Sequence, residues 1–223
     1  LGIYSSAHPL SDEYFNNKNI FKSFYNIEPR INLSLNYPSY SFKLSYNRLN
    51  QYIHLISNTN SPTPLDIWTP SGPYIKPQKL DQFALGFYKK LEFLNFESEF
   101  FYKKIKNRID YIDDADLIAN NDIETVLLNG KSRAYGAEFL VKKSYGKHRF
   151  WIAYTISKSE QKTGGIGEND LGINNGEWYL TPYDKTHDIS FNSSYKINKK
   201  LILNTNFIYT VSYTHLRAHE TGW

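Results

Sequence analysis

Residues 132–160 read SRAYGAEFLVKKSYGKHRFWIAYTISKSE, and no other stretch constrains the fold as much. Tyr135, Ala137, Phe139 and Val141 alternate with Ala134, Gly136, Glu138 and Leu140. Past a tight Tyr145-Gly146-Lys147 turn, Phe150, Ile152, Tyr154 and Ile156 alternate with Trp151, Ala153, Thr155 and Ser157. A period of two sends successive side chains to opposite faces, which predicts an antiparallel hairpin. Its length is unusual. Soluble strands mostly stop near about five or six residues. Ten residues at roughly 3.3 Å each, tilted by about 45°, span roughly 23 Å, close to the roughly 25 Å apolar band of a transmembrane barrel.

The same unit recurs along the chain. Over 30–37, Ile31, Leu33, Leu35 and Tyr37 oppose Arg30, Asn32, Ser34 and Asn36, and Pro38-Ser39 makes a short turn. The second run, 40–55, sets Tyr40, Phe42, Leu44 and Tyr46 against Ser41, Lys43, Ser45 and Asn47. A third, 78–91, holds Phe83, Leu85 and Phe87 in one phase, and a short turn at 92–95 leads to a fourth over 96–111. The opening hairpin supplies the fifth and sixth. The seventh, 183–197, sets Asp184, Thr186, Asp188, Ser190 and Asn192 against Ile189, Phe191 and Tyr195; a turn at 198–200 leads to the eighth, 201–210. Residues 58–77 carry Pro62, Pro64, Pro70, Pro73 and Pro77, which lack the donor a ladder needs, and read as a long loop. Residues 113–131 and the glycine-rich 164–182 read likewise, and 1–23 as the tail of another loop. Eight long strands joined alternately by four short turns and three long loops predict an all-β, antiparallel transmembrane β-barrel, of which this chain supplies a part.

Composition fits that expectation without requiring it. No apolar run approaches the ~18 residues of a spanning helix, and the mean hydropathy of −0.55 suits a barrel whose lumen face and loops are polar. Nineteen Tyr and fourteen Phe suit the aromatic girdles of a membrane interface, as they also suit a Tyr-rich soluble binding module. With no cysteine, neither a disulfide nor a thiolate metal site is predicted. The net charge of +4 does not by itself indicate a nucleic-acid partner. A chain opening Leu1-Gly2-Ile3 without methionine reads as an internal piece of a longer protein. The barrel part is expected over residues 1–210. Residues 211–221, VSYTHLRAHET, resemble a translated sequencing adapter, so 211–223, with His215, His219 and Glu220, are set aside as foreign.

With these residues in view, the chain resembles the C-terminal barrel portion of TonB-dependent outer-membrane receptors, particularly those of Bacteroidetes-type bacteria. The resemblance rests on Gly136 and Glu138 before the Gly146 turn, on Tyr154, Thr155 and Ser157 after it, and on an Asp-x-x-His strand start at Asp184 and His187. The stretches 47–57 and 70–78 are also similar, and the likeness covers roughly residues 26 to 210. It implies a 22-stranded barrel in the cell outer membrane, enclosing a plug and importing scarce nutrients with energy from TonB. Outer-membrane lipid, the plug, TonB and a nutrient would then be the partners. The TonB box, the plug and the terminal aromatic strand match no residue here. The alternative is a self-contained eight-stranded outer-membrane barrel with a structural or adhesion role.

Enzymatic chemistry finds no constellation: there is no Gly-x-Ser-x-Gly elbow, no His-Glu-x-x-His pair and no phosphate loop. The chain is read as a non-enzyme, with no catalytic residue, cofactor or metal ligand. Asp113, Asp114 and Asp116 form at most a solvated acidic loop. His187 and Asp188, as strand neighbours, point to opposite faces. Glu138, Thr155, Asp188 and Asn192 are expected to face the lumen or plug, and Phe139, Ile152 and Tyr154 the lipid. Trp68, Trp178 and Tyr179 are candidate loop aromatics for stacking on a substrate. Lysines gather at the short turns (Lys89, Lys90, Lys142, Lys143, Lys147, Lys196, Lys199 and Lys200) and acids in the long loops, which suggests basic turns on the periplasmic side.

Overall fold

The computed structural model describes residues 2–5, 21–56, 67–72, 75–111, 127–165 and 171–212. In chain order the strands are β1 (Gly2–Ser5), β2 (Phe21–Phe24), β3 (Arg30–Asn36), β4 (Tyr40–Gln51), β5 (Ile53–Ile56), β6 (Ile67–Pro70), β7 (Gln78–Lys90), β8 (Asn95–Tyr111), β9 (Leu127–Lys143), β10 (His148–Thr163), β11 (Tyr179–Leu180), β12 (His187–Lys196) and β13 (Ile202–Val211). The main sheet has the order β13-β12-β10-β9-β8-β7-β4-β3, with every pair antiparallel. It is an up-and-down meander, because each short turn returns the chain beside the strand it has just left. Neighbouring turns also touch: the Tyr145 hydroxyl donates to the Glu92 carbonyl, and the Phe93 and Tyr145 rings lie 6.4 Å apart.

The two phases read from sequence stay in phase across the sheet. Leu33 pairs with Leu44, Leu44 with Leu85, Leu85 with Phe100, Phe100 with Ala137, Ala137 with Ile156 and Ile156 with His187. One face is therefore apolar from edge to edge. Its rings mesh across strands: Phe42 with Phe87 at 5.0 Å, Phe100 with Phe139 at 6.2 Å and Phe139 with Tyr154 at 6.3 Å. Each such pair adds about 0.5–1.5 kcal/mol beyond area burial.

A soluble protein of this length would cover that face. Here Leu33 is 57%, Leu44 52%, Phe100 52% and Phe207 54% exposed, and among the described residues the buried hydrophobic side chains are only Ile75, Ala84, Leu128 and Ala137. Among the described residues no helix is long and apolar enough to cross a membrane. The sheet is also open. β3 and β13 lie at opposite ends of the strand order and do not pair with each other among the described residues.

Several boundaries differ from the sequence expectation. The 1–23 stretch contributes β1 and β2, which pair with each other. The second long strand ends at Gln51 rather than Leu55, and Ile53–Ile56 pairs instead with Ile67–Pro70 inside the expected loop. Pro70 is tolerated because it closes that ladder opposite Ile53. β9 begins at Leu127 rather than Ser132 and β10 runs to Thr163, so the central hairpin extends well into both flanking loops. The seventh strand starts at His187, because the Asp184 N–H closes the preceding turn on the Thr181 carbonyl and Thr186 lies in a bend. In β8 the register shifts between Lys106 and Arg108, where Asn107 takes φ 56° and its side-chain amide donates to the Pro77 carbonyl at 2.9 Å. This bulge exchanges the two phases, so Asp110 lies on the polar face although Lys106 lies on the apolar one.

Candidate functional site

The polar face carries one rung that crosses all eight strands: Ser34, Lys43, Gly86, Glu99, Glu138, Thr155, Asp188 and Thr210 are successive Cα partners. Glu99 and Glu138 stand directly opposite each other on adjacent strands, an arrangement that repulsion disfavours. Among the described residues no cation forms an ion pair with either. Lys43 lies two strands from Glu99 across Gly86. A Cβ built on Gly86 would come within 3.8 Å of Lys43 Cβ and 3.9 Å of Glu99 Oε2, so the missing side chain leaves open space between cation and carboxylate. A recess of about 480 Å³ lies here, lined by Lys43, Gly86, Glu97, Glu99, Glu138 and Thr155 among others. It is an acidic, uncompensated wall that a cationic group could approach from the polar side.

Three of the four residues singled out on this face, Glu138, Thr155 and Asp188, are thus consecutive on one rung. Asp188 accepts a hydrogen bond from the Thr210 hydroxyl at 3.1 Å. Asn192 shares the face but lies four residues nearer the short turns, opposite Trp151 and Asn206. Phe139, Ile152 and Tyr154 share the other face. Glu99 escaped the sequence reading, because its opposition to Glu138 depends on register between strands and not on the order of residues along either.

The candidate aromatics do not come together. Trp68 sits in β6 and is 66% exposed. Trp178 and Tyr179 separate because strand neighbours diverge. The Trp178 ring lies 4.1 Å from the guanidinium carbon of Arg133, on the apolar side. Tyr179 pairs with Gln161 on the polar side. Its hydroxyl donates to Asp110 Oδ2 at 2.6 Å, and Gln161 Nε2 and Thr163 Oγ1 reach the same carboxylate oxygen at 2.9 and 3.2 Å. This clasp ties the 164–182 loop to the long-loop ends of β8 and β10. Asp184 does similar work. It is buried, accepting the Ser159 N–H at 2.6 Å and the Thr186 hydroxyl at 3.1 Å, so the Asp of the Asp-x-x-His pattern is a structural clamp. His187 faces the other way, with Nδ1 2.9 Å from the Tyr154 hydroxyl.

The clasp gives a pH prediction. Burial first, and the hydrogen bond to the Asp110 carboxylate second, push the Tyr179 phenol up to about 12 from 10.0. Because the folded value is raised, its contribution is complete below pH 10 and is lost as pH climbs towards 12. A tyrosinate absorbance difference between wild type and Tyr179→Phe should show one phenol ionising near 12, and proteolysis of the 164–182 loop should increase across the same interval. A difference curve centred at pH 10 would mean that the clasp does not form.

No group of three or more His, Cys, Asp or Glu among the described residues could hold a metal ion. Asp113, Asp114 and Asp116 lie outside the described residues. A family model, TonB dependent receptor-like, beta-barrel, matches residues 8–181. No curated protein and no solved structure matches.

Proposed function

Since the chain belongs to the TonB-dependent receptor-like β-barrel family, a family of outer-membrane receptors and transporters, we propose that it is one sector of the wall of an energy-coupled nutrient importer. The carrying observation is the meander of eight long strands in the main sheet, with one face apolar and largely uncovered and the other polar. In water such a face would be a severe aggregation liability; against acyl chains it needs no further cover. The two open edges favour a sector of a larger barrel over a self-contained eight-stranded one, which would have to pair β3 with β13. Unpaired edge groups are costly in lipid, so neighbouring strands of the same barrel satisfy them.

In this reading residues 1–210 belong to the barrel and 211–223 are foreign to it. The short turns face the periplasm, and the long loops, with Trp68 and the Tyr179 clasp, face outward where substrate is captured. The rung of Glu99, Glu138, Thr155 and Asp188 faces the lumen. Its opposed carboxylates receive basic side chains of the plug, which TonB displaces during transport. Glu138 is thereby a plug contact first, and a substrate contact only when the plug has moved.

The test is depth and sidedness of spin labels in the intact receptor reconstituted in liposomes. Labels at positions 139 and 152 should be relaxed strongly by lipid-soluble oxygen, and labels at 138 and 155 should not. Equal oxygen accessibility at the two parities would make the apolar face an internal core, and the transporter reading would fall with it.

A further inference from the structure

The register places a cationic belt on the apolar side of the sheet, at the end towards the long loops. Tyr46, Phe83, Tyr102 and Tyr135 are successive partners across β4, β7, β8 and β9, with ring separations of 4.8 Å for Tyr46–Phe83 and 6.4 Å for Tyr102–Tyr135. They form an aromatic row of the kind that marks a membrane interface. Two residues beyond it comes Arg48, Asp81, Lys104, Arg133 and Glu160, and two further comes Asn50, Lys79, Lys106, Lys131 and Lys162. Lys158, opposite Tyr135, joins them.

Among the described residues the belt is neutralised only in part. Asp81 is taken by Arg48 at 2.7 Å, and Glu160 by Arg133 at 2.8 Å and Lys158 at 2.6 Å. Among the described residues Lys79, Lys104, Lys106, Lys131 and Lys162 have no carboxylate within ion-pair distance. Four of these five are directly adjacent on neighbouring strands, so at about 4.8 Å per strand they fall within roughly 15 Å. Like charges so placed repel one another, and an anion lying against the row would relieve that repulsion.

Position says which anion. From Lys143 at the short turn, β9 climbs twelve residues to Lys131, roughly 40 Å along the strand and roughly 28 Å after a 45° tilt, just past an apolar band of roughly 25 Å. The lysines project from the same face as Phe139, the side turned to lipid, so what lies against them is the headgroup layer of the outer leaflet. We propose that Lys79, Lys106, Lys131 and Lys162, with Lys104, form a docking site for a phosphorylated lipid headgroup, best suited to one carrying two or more phosphates. This rests on the lipid-facing reading of the apolar side. Lysine suits the role as a mobile point charge that finds phosphate oxygens without a fixed fork.

The experiment is native mass spectrometry of the intact receptor with two probes, diphosphorylated lipid A and its enzymatically dephosphorylated form. The wild type should retain the diphosphorylated lipid and release it as ionic strength rises. The Lys79→Gln/Lys106→Gln/Lys131→Gln/Lys162→Gln variant should bind it at least tenfold more weakly, whereas the four corresponding Lys→Arg changes should restore it. If the fourfold variant assembles poorly, Lys106→Gln/Lys131→Gln is read in the same assay and should lose at least threefold. Equal retention by variant and wild type overturns the proposal, as does equal binding of the two lipids. Displacement by millimolar inorganic phosphate overturns it too, since the site would then take free anions. A spin label at 139 read in parallel separates the two levels. Oxygen-accessible 139 with unchanged lipid retention removes the headgroup site alone, whereas protected 139 removes the lipid-facing reading beneath it.

Discussion

Replacing Phe139 with Arg in the intact receptor is expected to abolish most barrel assembly, while Glu138→Gln, one residue away, leaves assembly near wild type. Phe139 lies four residues above Lys143 and four below the aromatic row at Tyr135 on β9, which puts it inside the apolar band. A basic residue on the lipid face at that depth costs about 2–4 kcal/mol. The substitution also removes ring contacts to Phe100 and Tyr154, each about 0.5–1.5 kcal/mol. Together these approach the whole stability of a marginal protein. Glu138→Gln keeps the shape on the polar face and removes one of two opposed charges, so the empty wall should be slightly relieved. On the proposed plug contact the plug should seat less firmly, and its release in urea should come earlier. The measurement is heat-modifiable, protease-protected barrel per cell for each variant. Equal yields for Phe139→Arg and Glu138→Gln would contradict the assignment of faces.

How much of this was legible beforehand follows from what a period of two can encode. Alternation names the face of every residue inside one run, so the apolar set Leu44, Leu85, Phe139 and Ile152 could be written down from sequence. The short turns could be too, since Gly146 at φ 84° and Pro38 are local signals. Alternation cannot say which residue of one strand lies beside which residue of the next. The opposition of Glu99 to Glu138 and the row of Lys79, Lys106, Lys131 and Lys162 are both inter-strand facts, and both were invisible; the lysines at the short turns were noticed because they cluster in sequence. Asp110 was hidden by a further device, the bulge at Asn107, which swaps its face. Asp184 fits the phase of the seventh run, yet its carboxylate folds back to the Ser159 N–H and the strand begins only at His187. Trp178 and Tyr179 looked like a pair because they are adjacent, and adjacency in extended chain is what separates them.

Gly136 carries the last and most local expectation: Gly136→Ala should destabilise the barrel strongly although it adds one methyl group on a polar face. In the resemblance to the family, Gly136 is the first residue of a Gly-x-Glu pattern, and the structure supplies a reason for it. A Cβ there would lie 2.4 Å from the Ile156 carbonyl oxygen, 2.7 Å from Ser157 Cβ and 2.9 Å from Ser157 Cα. Two of those atoms are backbone of β10, so no rotamer change can clear them. β9 and β10 must move apart at the rung where Gly136 pairs with Ser157, immediately beside the rung that holds Glu138 and Thr155. Overpacking costs about 1–3 kcal/mol even where side chains can adjust; against backbone the upper end of that range is expected. Gly164→Ala is the matched control, since nothing lies within 4 Å of its added Cβ. Unfolding of the purified receptor in urea, followed by tryptophan fluorescence, should show a clearly lower midpoint for Gly136→Ala and none of that loss for Gly164→Ala. Since the added methyl is neutral, a loss of stability there cannot come from charge or from lipid exposure. A wild-type midpoint for Gly136→Ala would mean that the two strands do not approach as closely as the Gly136–Ser157 register requires.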